Sequence, residues 1–263
     1  MKRRTFLQNT VAACLGTAAL ESHSAAAADT AGKGREVFEL RAYSLKVAKK
    51  PLLDDYLSKA FIPAVKRLGL GPVGVFSDAP KDDKVTVYVL TVFQSADQCL
   101  SLPAKLLADP EHQKAGADYL AATPADPVYE RIESSLHLAI EGMPKLIKPD
   151  ASQPRLLNLR IYESHNERAA AKKIEMFNLH ELPIFQRVGL TPVFFGQTII
   201  GSNMPNLTYM LVFPDDAGRA AAWKRFGGED EWKKLKAMPE YADKEIVSKI
   251  TNKVLTPESY SEI

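Results

Sequence analysis

Gly69-Leu70-Gly71-Pro72-Val73 and Gly189-Leu190-Thr191-Pro192-Val193 are one turn written twice, and their spacing decides the fold. The offset of 120 residues recurs at Pro63 and Pro183, at Val92-Phe93 and Val212-Phe213, and at Glu111 and Glu231. Arg41-x-Tyr43 returns as Arg160-x-Tyr162, offset by 119. No short solenoid has such a period, so the chain carries a duplicated unit. Any site at the junction of the copies would be built from both.

Outward from that turn, each copy reads strand, helix, strand, strand, helix, strand. Residues 37–45 alternate and form the first strand. In 50–68, Leu53, Leu57, Ala60, Phe61, Ala64, Val65 and Leu68 recur at helical steps, with Pro51 in the first turn and Gly69 at the end. Pro63 lies inside this pattern and should kink the helix. Strands follow at 73–76 and 85–93, then a helical stretch at 96–122 broken near Asp109-Pro110, then a strand at 132–140. Copy two repeats the series with 156–162, 167–188, 193–200, 207–213, 216–238 in pieces, and 246–255. The order βαββαβ is the ferredoxin-like arrangement, of α+β class. The copies are assigned to 36–142 and 155–263, joined by a proline-rich linker at 143–154.

The first 28 residues read as an export signal. Lys2-Arg3-Arg4 opens it, a modest apolar stretch follows from Val11 to Leu20, and Ala26-Ala27-Ala28 offers a cleavage site. A membrane anchor would need an apolar run of about 18 residues, which this stretch does not reach. Twin-arginine export would place the protein in the periplasm or outside the cell, with no stable membrane insertion after cleavage. Cleavage after Ala28 would remove three cationic side chains and Glu21, turning the net charge of +2 to neutrality. A neutral chain has no electrostatic claim on nucleic acid or anionic lipid. Cys14 would leave with the signal, so Cys99 alone remains and no internal disulfide forms.

Glu39-Leu40-Arg41-x-Tyr43 opens a strand, and a helix with an internal proline ends in Gly-Leu-x-Pro-Val. Tyr209-Met210-Leu211-Val212-Phe213 follows in copy two, then Glu229-Asp230-Glu231-Trp232-Lys233-Lys234, then Thr256-Pro257-Glu258-Ser259-Tyr260. Together these motifs resemble the NIPSNAP family. Copy two fits better; copy one has His112 where the pattern has Trp. The resemblance implies the dimeric α/β-barrel superfamily, in which two ferredoxin-like sheets pair into a barrel with helices outside. Here the tandem copies would form that pseudo-dimer within one chain.

Strand alternation divides the first strand of each copy into two faces. Phe38, Leu40 and Ala42, like Leu157, Leu159 and Ile161, form an apolar face, which is expected under the helices. Glu39, Arg41 and Tyr43, with Arg160 and Tyr162, are then expected to point into the barrel interior, where His137 lies in phase with Ser135 and Ala139. Such a cluster reads either as a structural network fixing the sheets or as a cavity in which arginine holds an anionic small molecule. His180 borders a helical apolar face and is a weaker candidate; His112 is expected at the surface, and Trp223, Trp232 and Phe226 are expected to pack a helix onto the sheet. No histidine pair or cysteine cluster has metal-ligand spacing, and no phosphate-binding glycine loop or nucleophile elbow is present. No metal and no cofactor are expected. Two functions follow: a non-catalytic binding or interaction module, or a small-molecule enzyme resembling the cofactor-independent monooxygenases or haem-binding members of the superfamily.

Overall fold

Eight strands close into one antiparallel barrel in the order β1-β3-β2-β8-β5-β7-β6-β4. A computed structural model describes residues 34–263, and the export segment read at 1–28 lies outside them. The strands are β1 (Val37–Lys46), β2 (Val73–Ser77), β3 (Lys84–Phe93), β4 (Arg131–Ala139), β5 (Leu156–Glu163), β6 (Thr191–Ile200), β7 (Asn206–Phe213) and β8 (Lys249–Pro257). Each copy contributes a ferredoxin-like sheet, β4-β1-β3-β2 and β8-β5-β7-β6. Closure is reciprocal: β2 of copy one pairs with β8 of copy two, and β4 of copy one pairs with β6 of copy two. Pairing both edges leaves no open strand edge in the sheet. The residues after β8 extend the first seam, with Glu258 N and Glu262 N donating to the carbonyls of Val75 and Val73 at 2.9 and 3.0 Å. The copies share one core, so Gly34–Ile263 forms one compact unit.

The helices lie outside the barrel. In copy one α1 (Lys50–Tyr56) passes through a π turn at Leu57–Phe61 into α2 (Ile62–Arg67). Pro63 lacks an N–H and crowds the carbonyl four residues back, so the preceding turn loosens and the helix resumes rather than stopping. Copy two solves the same problem identically: α6 (Glu167–Met176), a π turn at Phe177–Glu181, and α7 (Leu182–Val188) around Pro183. Gly69 and Gly189 end these helices with φ of +68° and +81°, the left-handed conformation that explains why glycine stands at both places.

The second helical stretch of copy one is α3 (Ala96–Ala108), α4 (Pro110–Ala115) and α5 (Ala117–Leu120). Asp109 makes the break by capping α4, accepting from Glu111 N and His112 N at 2.9 and 3.2 Å. Copy two has α8 (Asp216–Gly228), α9 (Asp230–Ala237) and α10 (Asp243–Ile246). Trp223, Trp232 and Phe226 pack α8 and α9 onto the sheet as expected. Among the described residues no helix is long and apolar enough to cross a membrane.

The alternation of the first strands is real, but the two faces are the reverse of the sequence expectation. Phe38, Leu40, Leu157 and Leu159 point into the barrel, where they meet Phe76, Leu90, Phe194 and Met210 in one core drawn from both copies. Tyr43 and Tyr162 instead lie in two separate cores between the sheet and the helices of their own copy. At this level of the interior the two sheets meet through apolar side chains, which leave no polar atom to satisfy. Each large apolar side chain buried there contributes about 1.5–3 kcal/mol.

Candidate functional site

Glu39, Arg41 and Tyr43 lie on the outer face of β1, under the helices of copy one. Arg41 Nε donates to Glu39 Oε1 at 2.7 Å, and Ser134 Oγ donates to the same oxygen at 2.9 Å. Arg41 is opposite Ser134 in the β1–β4 register, which places all three side chains on one face. The guanidinium also sits 5.9 Å from the Phe61 ring centre. Around this pair Tyr56 and Tyr119 stack at 3.9 Å, and Tyr43 meets Tyr129 edge-on at 5.8 Å. Burial pushes the Tyr43, Tyr56 and Tyr119 phenols above their ordinary value. Burial, helped by the Glu39 carboxylate, pushes the Cys99 thiol up to about 11, so it is a poor thiolate nucleophile.

Arg160 and Tyr162 occupy the matching place on β5. Arg160 donates to the Tyr162 hydroxyl at 3.2 Å, and Tyr209 donates to that hydroxyl at 2.9 Å. The guanidinium lies 4.3 Å from the Trp223 ring centre. Nearby, Lys173 and Glu181 form an ion pair at 3.0 Å with both side chains 2% exposed. Lys173 Nζ faces the Phe177 and Tyr162 rings at 4.7 and 5.3 Å. Burial pushes the Glu181 carboxyl up, with Lys173 pulling it back in part.

The predicted polar cluster is therefore two clusters, one per copy, and neither reaches the barrel interior. His137 alone of the set faces inward. Its register partner is Phe38, and it is 2% exposed. Ser135 Oγ lies 2.8 Å from His137 Nε2, and Thr198 Oγ1 lies 3.0 Å from Nδ1. Thr198 gives its only hydroxyl proton to Asn206 Oδ1 at 2.5 Å, so it must accept at His137. That assigns the proton to Nδ1 and leaves Nε2 to accept from Ser135. Thr208 also donates to Asn206 Oδ1 at 2.9 Å. Burial holds the imidazole down to about 4, and thus neutral. Gly196 lets β6 come this close, because a Cβ there would stand 2.7 Å from His137 Cβ.

His180 is exposed at the π turn, 5.6 Å edge-on to Tyr241, rather than against a buried face. His112, expected at the surface, is 2% exposed and bonds the Tyr56 hydroxyl at 3.1 Å and the Leu106 carbonyl at 2.9 Å. The break before Pro110 turns the first turn of α4 inward and carries His112 with it.

Next to the His137 network the barrel opens into a cavity of about 340 Å³. Leu40, Ala42, Leu159 and Ile161 form its apolar side, while Ser44, Thr86, Tyr88, Ser135, Asn203 and Thr251 add hydroxyl and amide groups. Glu133 and Lys253 bring opposite charges. The lining comes from β1, β3 and β4 of copy one and from β5, β8 and the β6–β7 turn of copy two. Sequence reading missed Thr198, Asn206 and Thr208, which no short motif marks; strand pairing brings them to His137. A more apolar cavity of about 430 Å³ lies beneath the linker, but copy one contributes nothing to its wall. Among the described residues no group of three or more His, Cys, Asp or Glu could hold a metal ion.

The architecture is that of the dimeric α/β barrels, folded from one chain. A candidate monooxygenase from Fusobacterium nucleatum shares 11% identity over 85% of this chain and 92% of its own, with a TM-score of 0.55. A second, from Lactobacillus acidophilus, shares 12% identity over 85% and 94%, with a TM-score of 0.54. At that identity the likeness is one of fold alone. Residues 157–262, within the second copy, match the NIPSNAP family model. A NIPSNAP-like domain protein from Burkholderia xenovorans shares 20% identity over 41% of this chain and 88% of its own, with a TM-score of 0.37. No curated protein matches the sequence significantly.

Proposed function

We propose that this chain is a non-catalytic binding protein that takes a small, polar molecule with one apolar face into the mouth of the barrel. The observation that carries this reading is the cavity of about 340 Å³ whose walls come from both copies. Its chemistry is that of a binding site: an apolar side for contact area and a few converging polar groups for orientation. His137 supports binding over catalysis, because both of its ring nitrogens are committed to Thr198 and Ser135. The enzymatic alternative, of monooxygenase or haem-binding type, rests on likeness of fold, and a fold hosts many functions.

Ligand-observed NMR with a library of small polar fragments tests the proposal. Hits should lose binding in Ala42→Trp, which fills the mouth, and keep it in Ala121→Trp on the outer surface. Equal binding to wild type and Ala42→Trp would refute the site.

A further inference from the structure

The two copies treat equivalent arginines differently. In copy one Glu39 neutralises Arg41. The residue equivalent to Glu39 is Asn158, which is fully buried and carries no charge. It accepts from Trp223 Nε1 at 3.2 Å and donates to Asn252 Oδ1 at 2.6 Å, so it has no charge to offer Arg160. Among the described residues Arg160 forms no ion pair, and its Nε is buried without a hydrogen-bond partner. Glu181, whose field reaches Arg160, is held by Lys173. A guanidinium with a buried, unsatisfied N–H and no counter-charge is costly to keep.

We propose that the outer face of copy two binds a small carboxylate at Arg160. The guanidinium carbon lies 4.3 Å over the Trp223 ring, and the group is tied to the Tyr162 hydroxyl, which restricts its movement. A planar carboxylate matches the planar guanidinium and supplies what Glu39 supplies in copy one. Arg160 is itself partly exposed, and exposed Asn252 stands opposite it in the β5–β8 register. This site is on the opposite face of β5 from the barrel mouth, and it does not depend on the proposed function.

The test follows the Trp223 indole N–H resonance, assigned with Trp223→Phe, during titration with sodium benzoate at constant ionic strength. Wild type should show a saturable shift. Arg160→Gln should abolish it. Asn252→Asp, which keeps the acceptor for Asn158 and installs a carboxylate opposite Arg160, should weaken binding at least tenfold. Arg41→Gln should leave the affinity unchanged. The proposal is overturned if wild type shows no saturable shift, if Asn252→Asp binds as wild type does, or if Arg41→Gln weakens binding as much as Arg160→Gln. Should Arg160→Gln fail to fold, Asn252→Asp at its exposed position still decides the question.

Discussion

Acid should destabilise this barrel through His137. In the folded chain burial holds its pKa near 4, against 6.5 for an ordinary imidazole. Above about pH 6.5 the ring is neutral in both states, and folding carries no protonation cost. Between about pH 6.5 and 4 only the unfolded chain takes up the proton, so stability falls by about 1.4 kcal/mol per pH unit. Below about pH 4 the loss levels off at a total of about 3 kcal/mol. His137→Leu isolates this contribution. Leucine is what copy two places there: Leu255 faces Leu157 as His137 faces Phe38. In the variant Thr198 keeps its bond to Asn206, and Ser135 turns the proton it gave to His137 toward the Leu40 carbonyl, 3.4 Å away. Urea unfolding at a series of pH values, followed by tryptophan fluorescence, gives stability for both proteins. The carboxylates common to both cancel in the difference. Wild type minus variant should fall by about 3 kcal/mol between about pH 7 and pH 4. A difference that stays constant across that range would refute the buried neutral imidazole and the proton assignment built on it.

Breaking the buried Lys173–Glu181 pair from one side should cost more than removing it. Lys173→Met or Glu181→Gln should each cost about 3–5 kcal/mol in denaturant unfolding, whereas the double replacement by Met and Leu should come back to near wild type. Three equal losses would show that the pair does not act as a unit. For export, replacing Arg3 and Arg4 with lysine should leave precursor in the cytoplasm, as cell fractionation would show, and unchanged export would contradict the signal reading.

How much was legible before folding follows from the physics of each feature. Strand alternation is a local property with a period of two, so the partition of Phe38 and Leu40 from Glu39, Arg41 and Tyr43 was fully visible. Which side faces inward is not local. Both faces of β1 and β5 are covered, one by the opposite barrel wall and one by helices. The sequence carries no mark that tells the covers apart. The Glu39–Arg41 contact was readable because both residues share a face two positions apart. The His137 network was not, because Thr198 and Asn206 reach it only through the β4–β6 seam and the β6–β7 turn.

The sequence by itself determined the duplication, the βαββαβ order, the paired Gly-Leu-x-Pro-Val turns and the proline-disturbed helices. All of these are set by residue type and short-range spacing. Only the tertiary structure decided that Phe38, Leu40, Leu157 and Leu159 face the barrel interior, that the arginines lie under the helices, and that the mouth is lined from both copies. It also decided that Arg41 is neutralised while Arg160 is not, although both open their strands alike. That difference depends on Asn158 meeting Trp223 and Asn252, side chains 65 and 94 residues away along the chain, and closure of the fold alone brings them together.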